Sequence, residues 1–242
     1  MNLTHRFLIA AAAVLCASGA GVQAQTRKVQ FRTLCLQHVK DTTEVMLAAE
    51  KADQPGTTVP LYTGSMSQVI EGTFTTTNAI FFGKAMGPDG KPVVVATAPL
   101  SKSSRQLFVF TPAKADAKTP YELQAYDDDT DTFKLGSVRA INLAPVPVRF
   151  VIAGSTTPQI PTGRHAIFPQ STKVDEYNMY QAAVEFLSGD GKWFSAYKSS
   201  WKASEGRRDV VITLVDEQFK QPTVKVFSDI PPWTEPTPTA KP

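Results

Sequence analysis

Residues 177–202 read YNMYQAAVEFLSGDGKWFSAYKSSWK, and this stretch decides the class of fold. Two runs with closely spaced apolar residues, 177–188 and 192–202, flank the tripeptide Gly189-Asp190-Gly191. Glycine and aspartate between two such runs are a strong signal of a tight turn between antiparallel strands. We therefore predict a β-hairpin here, and the rest of the chain follows the same pattern.

Short strand-like runs separated by turn residues continue in both directions from this hairpin. The chain has 242 residues with 18 prolines, 14 glycines and only 19% charged residues, a composition that suits strands and turns better than long helices. About twelve short strands are expected, a number typical of β-sandwiches. The sequence therefore predicts an all-β protein of two consecutive antiparallel β-sandwich (Ig-like) domains, although the two halves show no alignable repeat.

Residues 1–24 have the pattern of a secretory signal peptide. A basic residue, Arg6, precedes an apolar run over 7–17, which is too short to span a bilayer because about 20 apolar residues are needed. Small residues end in Ala24, which places the predicted cleavage site after it. A lipid anchor on Cys16 is the alternative. We expect the mature chain to be periplasmic or secreted, with no stable membrane insertion after cleavage.

Composition also predicts the boundaries of the mature chain. The segment 112–120 reads PAKADAKTP, with proline at both ends, and is the best candidate for a linker. It separates a first β-sandwich domain at 25–111 from a second at 121–230. Residues 231–242 are rich in proline without apolar periodicity, so a disordered tail is expected there.

The mature chain offers few groups for site chemistry. The net charge of the whole chain is +3, too small and too scattered to indicate nucleic acid as a partner. After signal cleavage Cys35 is the one remaining cysteine, so no internal disulfide can form, and we expect a buried thiol. His38 and His165 are not at metal spacing, and no zinc or nucleophile-elbow motif occurs. We predict no catalytic residue, no cofactor and no metal site.

An acidic run at Asp127–Asp131 leaves calcium binding open. Asp127, Asp129 and Asp131 have the one-three-five spacing of a calcium loop. Thr132 and Val138, however, stand where an EF-hand requires glycine and glutamate. A solvated turn, in which aspartates bond their own backbone, is the favoured interpretation.

Three aromatic residues on the strand 192–202 form the candidate ligand face. Trp193, Tyr197 and Trp201 stand at even spacing, which places them on one face of an ideal strand. If exposed, they would stack on sugar rings; if buried, they would belong to the sandwich core. Because Lys198 and Lys202 lie on the opposite face, we expect the aromatic face to point inward.

Several stretches together carry a resemblance. They are FKLGSVRAINL at 133–143, VPV at 146–148, the strand from Trp193 to Trp201 and the strand that follows Arg207-Arg208. As a set they resemble uncharacterised exported bacterial proteins that have a signal peptide and two β-sandwich-like halves. The GSxRxxNL stretch is also similar to the C-terminal half of the periplasmic alginate O-acetylation accessory protein, over about thirty residues. Neither resemblance implies a catalytic residue.

These observations predict a non-enzymatic exported β-sandwich protein that acts in the cell envelope by protein contacts. Its expected partner is another envelope protein or a polysaccharide. The alternative is a carbohydrate-binding module that uses the face of Trp193, Tyr197 and Trp201.

Overall fold

A computed structural model describes residues 26–48, 56–216 and 218–233. The predicted signal peptide at 1–24 and the tail beyond residue 233 lie outside these ranges. The described residues form sixteen β-strands in four sheets of four strands, with no α-helix among them. The all-β prediction is therefore confirmed. Within the described ranges, no helix is long and apolar enough to cross a membrane.

The first half of the chain contains eight strands in two sheets. The first inner sheet has the order β4-β1-β7-β8, and the first outer sheet has the order β3-β2-β5-β6. The strands are β1 Arg27–Cys35, β2 Glu44–Leu47, β3 Thr57–Pro60, β4 Ile70–Phe74, β5 Asn78–Met86, β6 Pro92–Pro99, β7 Arg105–Pro112 and β8 Tyr121–Asp127.

The second half contains the other eight strands. The second inner sheet has the order β12-β9-β15-β16, and the second outer sheet has the order β11-β10-β13-β14. The strands are β9 Ser137–Asn142, β10 Val148–Ile152, β11 Ser155–Thr156, β12 His165–Pro169, β13 Met179–Leu187, β14 Trp193–Lys202, β15 Arg208–Val215 and β16 Pro222–Asp229.

The two halves follow one strand plan, although no repeat is visible in the sequence. Every strand of the first half has its equivalent eight strands later, in the same place of the equivalent sheet. Each inner sheet contains one parallel pair, β1 with β7 and β9 with β15, so the expectation of purely antiparallel sheets is wrong in this detail. The outer sheets share an irregularity as well: the register shifts between Phe81 and Phe82 in one and between Val184 and Glu185 in the other.

The four sheets stack in layers, with the two inner sheets at the centre. Each half has its own core between its inner and outer sheets, and a third core joins the two inner sheets. The inner strands are therefore buried on both faces, which explains why β7 and β15 are nearly continuous apolar runs. Residues of the third core include Leu34, Leu36, Leu107, Val109, Tyr126, Phe133, Ile141, Val210 and Ile212.

The segment 112–120 does not connect two domains. It joins β7 to β8, which pair along their whole length in the first inner sheet. The Ala113 amide donates to the Pro120 carbonyl at 2.9 Å and closes the loop. Residues 121–127 therefore belong to the first half, and the halves are connected through residues 128–136. The predicted boundary is wrong because a proline-rich composition marks a long hairpin loop as well as a linker.

The predicted hairpin of β13 and β14 is present, and β2 and β3 form another antiparallel pair. β2 pairs with β3 in antiparallel fashion, although residues 49–55 of their connection lie outside the described ranges. β13 pairs with β14 around the Gly189-Asp190-Gly191 turn, where Gly191 has a φ of 80°. That backbone conformation is open to glycine without a steric cost, so the turn residue and the strand pairing support each other.

Candidate functional site

The three aromatic residues predicted as a ligand face occupy different environments. The side chain of Trp201 is only 7% exposed and belongs to the core of the second half. Its ring lies 6.2 Å from that of Tyr180 and 6.2 Å from that of Phe150. Tyr197 is half-buried against the same core. These two side chains are therefore structural, as the favoured interpretation of the sequence expected.

Trp193 lies on the opposite side of the sheet from Tyr197 and Trp201. Val184 of β13 pairs with Tyr197, but its neighbour Glu185 pairs with Ser195, so Ala196 is an extra residue in β14. Such a β-bulge reverses the alternation of side chains beyond it. Phe194 accordingly packs on Phe186, with ring centroids 6.1 Å apart, and Trp193 points to the solvent face.

On that solvent face Trp193 is covered by an arginine. The Arg149 guanidinium lies 4.4 Å from the centroid of the Trp193 ring, and its Nε donates to Glu185 at 2.6 Å. One face of the ring is thus occupied by a cation–π contact. The prediction that all three aromatic residues lie on one inward face is therefore wrong for Trp193, because the extra residue in β14 reverses the alternation of side chains.

A buried ionic cluster joins the two halves where their last strands end. Arg32 of the first half lies 2.7 Å from Asp128 and 2.6 Å from Asp229, and Arg208 of the second half lies 2.5 Å from Asp128 and 2.7 Å from Asp229. All four side chains are nearly inaccessible to solvent. Each arginine bridges both aspartates, so this junction depends on both halves at once.

The strand plan gives these residues equivalents in the other half. Arg105 and Arg208 are the first residues of the equivalent strands β7 and β15. Counting along the paired strands from them makes Arg32 the equivalent of Arg139, and Asp128 the equivalent of Asp229. The two aspartates of the cluster therefore occupy the same position of the fold, whereas its two arginines come from different positions, whose equivalents Arg139 and Arg105 lie outside the cluster.

An aromatic residue follows each of these aspartates and is held by two arginines of the other half. Phe133 lies 4.4 Å from the guanidinium of Arg139 and 4.3 Å from that of Arg208. Trp233 lies 5.1 Å from the guanidinium of Arg32 and 5.7 Å from that of Arg105. We refer to these two contacts as the arginine clamps.

The second arginine clamp corrects the predicted start of the tail. The indole Nε1 of Trp233 donates to the Asp128 carbonyl at 2.8 Å. Residues 231–233 therefore pack on the body of the protein. Sequence composition missed this contact because the arginines that hold Trp233 lie in the distant strands β1 and β7.

Electrostatics in the junction favour the charged carboxylate of Asp229. Burial acts to raise its pKa, but the hydrogen bonds and charges of Arg32 and Arg208 hold the pKa below its ordinary value. Burial lowers the pKa of Arg139 to about 10, and its Nε and Nη1 have no hydrogen-bond partner. Because the carboxylates of Asp128 and Asp229 are bonded to arginines, the arrangement provides cohesion between the halves.

The acidic run is used internally. Asp127 accepts a hydrogen bond from the Ser103 amide at 2.6 Å, and Asp128 belongs to the ionic cluster. Asp129 accepts from the amides of Asp131 and Thr132 at 3.0 and 2.8 Å. Burial acts to raise the Asp129 pKa, but these hydrogen bonds outweigh it and bring the pKa to about 2. Among the described residues, no group of three or more His, Cys, Asp or Glu is placed to hold a metal ion.

The other reactive residue types are also engaged by the fold. Cys35 is buried, its Sγ–H donates to the Gln37 carbonyl at 3.2 Å, and burial raises its pKa to about 11. A thiol with such a pKa is protonated at neutral pH and is a poor nucleophile. His38 Nε2 bonds the Leu61 carbonyl at 2.7 Å, and His165 packs edge-on against Tyr126.

An apolar surface lies on the solvent face of the first outer sheet. Met46 of β2 pairs with Phe82 of β5, which pairs with Val94 of β6, and Ile80 adjoins them on β5. Met46, Ile80 and Phe82 are half-buried, and Val94 is 37% exposed. We call these four residues the apolar face. The sequence signal was present in the uninterrupted apolar run at 80–82, which leaves apolar side chains on both faces of a strand.

The equivalent surface of the second half has polar residues at three of the four positions, and Ala183 stands at the position of Ile80. Matching the two shared bulges makes Arg149 the equivalent of Met46, Glu185 the equivalent of Phe82 and Ser195 the equivalent of Val94. The strand plan is therefore compatible with a polar surface at these positions. The apolar side chains of the first half are a property of this particular sheet.

A cleft of about 450 Å³ lies between residues 64–69 of the first half and 226–232 of the second. Arg32 and Asp229 form part of its wall, but both are engaged in the ionic cluster. Met66 and Phe227 add apolar surface to the cleft.

No known protein-family profile and no curated protein sequence matches the chain.

Proposed function

We propose that this is a non-enzymatic, exported cell-envelope protein that acts by protein contacts through the apolar face. The observation that carries the proposal is the contrast between the two outer sheets. The first exposes part of Met46, Phe82 and Val94, where the second has Arg149, Glu185 and Ser195. Contiguous apolar surface on a soluble protein typically marks a site of interaction.

The charged side chains of the junction bond one another, which supports a protein that acts by contacts and not by catalysis. Asp128, Asp229, Arg32 and Arg208 bond one another, and Asp129 bonds its own loop. A catalytic acid or base needs a group free to exchange a proton with a substrate. The interpretation as a carbohydrate-binding module loses support because Trp201 is in the core and Trp193 is covered by Arg149.

A site-specific photo-cross-link tests the proposed function. A benzoylphenylalanine at position 94 lies at the apolar face, and one at position 195 lies at the equivalent place in the second half. In cells that express the full chain, we expect a discrete cross-linked protein species from position 94. We expect none from position 195.

A second substitution separates a specific contact from accidental capture. Met46→Lys introduces a charge into the apolar face next to Phe82 and should remove the cross-link at position 94, while the exposed substitution Ser200→Lys should not. Equal cross-linking at positions 94 and 195, or none at either, would contradict the proposed function.

A further inference from the structure

We infer that the partner of the apolar face is a second copy of this chain, which packs its own apolar face against the first in a two-fold dimer. This inference rests on the proposed function and names its partner. It places Met46, Phe82 and Val94 of one copy against the same three residues of the other. An isologous contact of this kind needs a surface that is complementary to itself.

The fold already packs equivalent sheet faces on each other inside the chain. Counting along the paired strands makes the two contributions to the third core equivalent: Leu34 with Ile141, Leu36 with Leu143, Leu107 with Val210, Val109 with Ile212 and Tyr126 with Phe227. The two halves thus meet as an isologous pair would. Face-to-face packing of equivalent apolar sheets is therefore a contact that this fold makes with itself.

Charges beside the apolar face are also self-complementary. Glu44 of β2 and Lys84 of β5 stand next to the apolar residues and form an ion pair at 2.6 Å. A two-fold axis that runs along the strands between β2 and β5 places Glu44 of one copy opposite Lys84 of the other. A partner with a single sign of charge would find one of these residues repulsive, whereas a second copy matches both.

The size of the sheet limits the contact area. Four strands about 4.8 Å apart give a width of about 19 Å; β5 and β6 are about 30 and 27 Å long, but β2 and β3, with four residues each, are only about 14 Å long. The footprint is therefore smaller than that of a standard interface, and we expect a weak, reversible contact. We expect a concentration-dependent dimer with a dissociation constant in about the micromolar range.

Sedimentation equilibrium of the purified chain provides the test. We expect the apparent mass to rise toward twice the monomer mass as the concentration increases. Val94→Lys places two like charges in the contact, one from each copy, and should raise the dissociation constant at least about tenfold. Ser195→Lys, at the equivalent position of the second half, should leave it unchanged. Thermal melting of both variants verifies that they fold.

Charge reversal adds a second test, which is read beside the thermal melting of each variant because Glu44 and Lys84 also pair within one chain. Glu44→Lys alone and Lys84→Glu alone should each weaken the dimer, and the double variant should recover it. A parent chain that stays monomeric over the whole range, or a dimer that Val94→Lys leaves intact, would overturn the inference. If the chain is monomeric but position 94 still cross-links another protein, the proposed function stands and the second copy is excluded. If position 94 cross-links no protein, the proposed function and the inferred dimer are both contradicted.

Discussion

At the scale of single residues, one extra amino acid decides what two tryptophans do. Ala196 has no partner of its own in the β13–β14 ladder, and it sends Trp193 to solvent while Trp201 stays in the core. The same residue type therefore contributes burial at one position and a surface cation–π contact at the other. The two tryptophans should therefore contribute measurably different amounts to the free energy of unfolding.

We expect Trp201→Ala to lower the free energy of unfolding by about 3–5 kcal/mol, because it empties a large volume in a packed core. Trp193→Ala removes only the contact with Arg149 and should cost about 1 kcal/mol or less. Urea unfolding of both variants beside the parent measures the difference. Equal, small losses would place Trp201 outside the core and return the carbohydrate interpretation to consideration.

At the scale of elements, the loop 112–120 shows how a surface segment relates to the sheet beneath it. β7 and β8 pair over seven residue pairs, from Gln106 with Asp127 to Pro112 with Tyr121. The loop is exposed over much of its length and is thus accessible to a protease. Cutting it breaks the covalent chain without breaking the ladder.

We expect a single protease cut within 112–120 to yield two pieces that stay together in native gel filtration and separate only in denaturant. The ladder of β7 and β8 and the third core hold them. A cut engineered into the connection at 129–131 serves as the comparison, because that segment joins the halves directly. Two pieces that separate without denaturant after a cut in 112–120 would restore the linker interpretation.

Local sequence patterns predicted the β13–β14 hairpin but not the bulge, the ionic cluster or the parallel strand pairs. The turn at Gly189-Asp190-Gly191 and the alternation around it were enough to predict β13 and β14, because both signals lie within a few residues. The bulge at Ala196 has no such local signal. The ionic cluster has none either, since Arg32 and Asp229 are 197 residues apart and meet only through the strand plan. The same holds for the parallel pairs, whose strands are far apart in sequence.

At the scale of the whole molecule, the two halves behave as one body because their contact is both apolar and ionic. The third core removes the inner sheets from water, and the ionic cluster ties the ends of β8 and β16 to the opposite halves. Removing one partner from such a cluster leaves a buried charge without compensation, which is costly. We therefore expect the stability of the junction to depend on pH.

Asp229→Asn should lower the free energy of unfolding at neutral pH by about 3–5 kcal/mol. Because the folded pKa of Asp229 is lowered, its stabilising contribution is present above the unfolded pKa of about 3.9 and is lost as the pH falls through the folded value. The gap between variant and parent should therefore narrow below about pH 4. Urea unfolding at pH 7 and pH 3 measures it, with the exposed Asp116→Asn as control. A gap that is independent of pH would contradict the ionic role of Asp229.

The arginine clamps also constrain the order in which the molecule can be completed during synthesis. β8 ends at Asp127, so the first sandwich has all its strands when less than two thirds of the chain has been made. Its inner sheet nevertheless keeps a bare apolar surface until Val210 and Ile212 of β15 emerge. Trp233, which closes the second clamp, comes later still. The nascent first sandwich therefore exposes the apolar surface of its inner sheet until β15 has been made. A chaperone that covers this surface in the interval would favour correct folding.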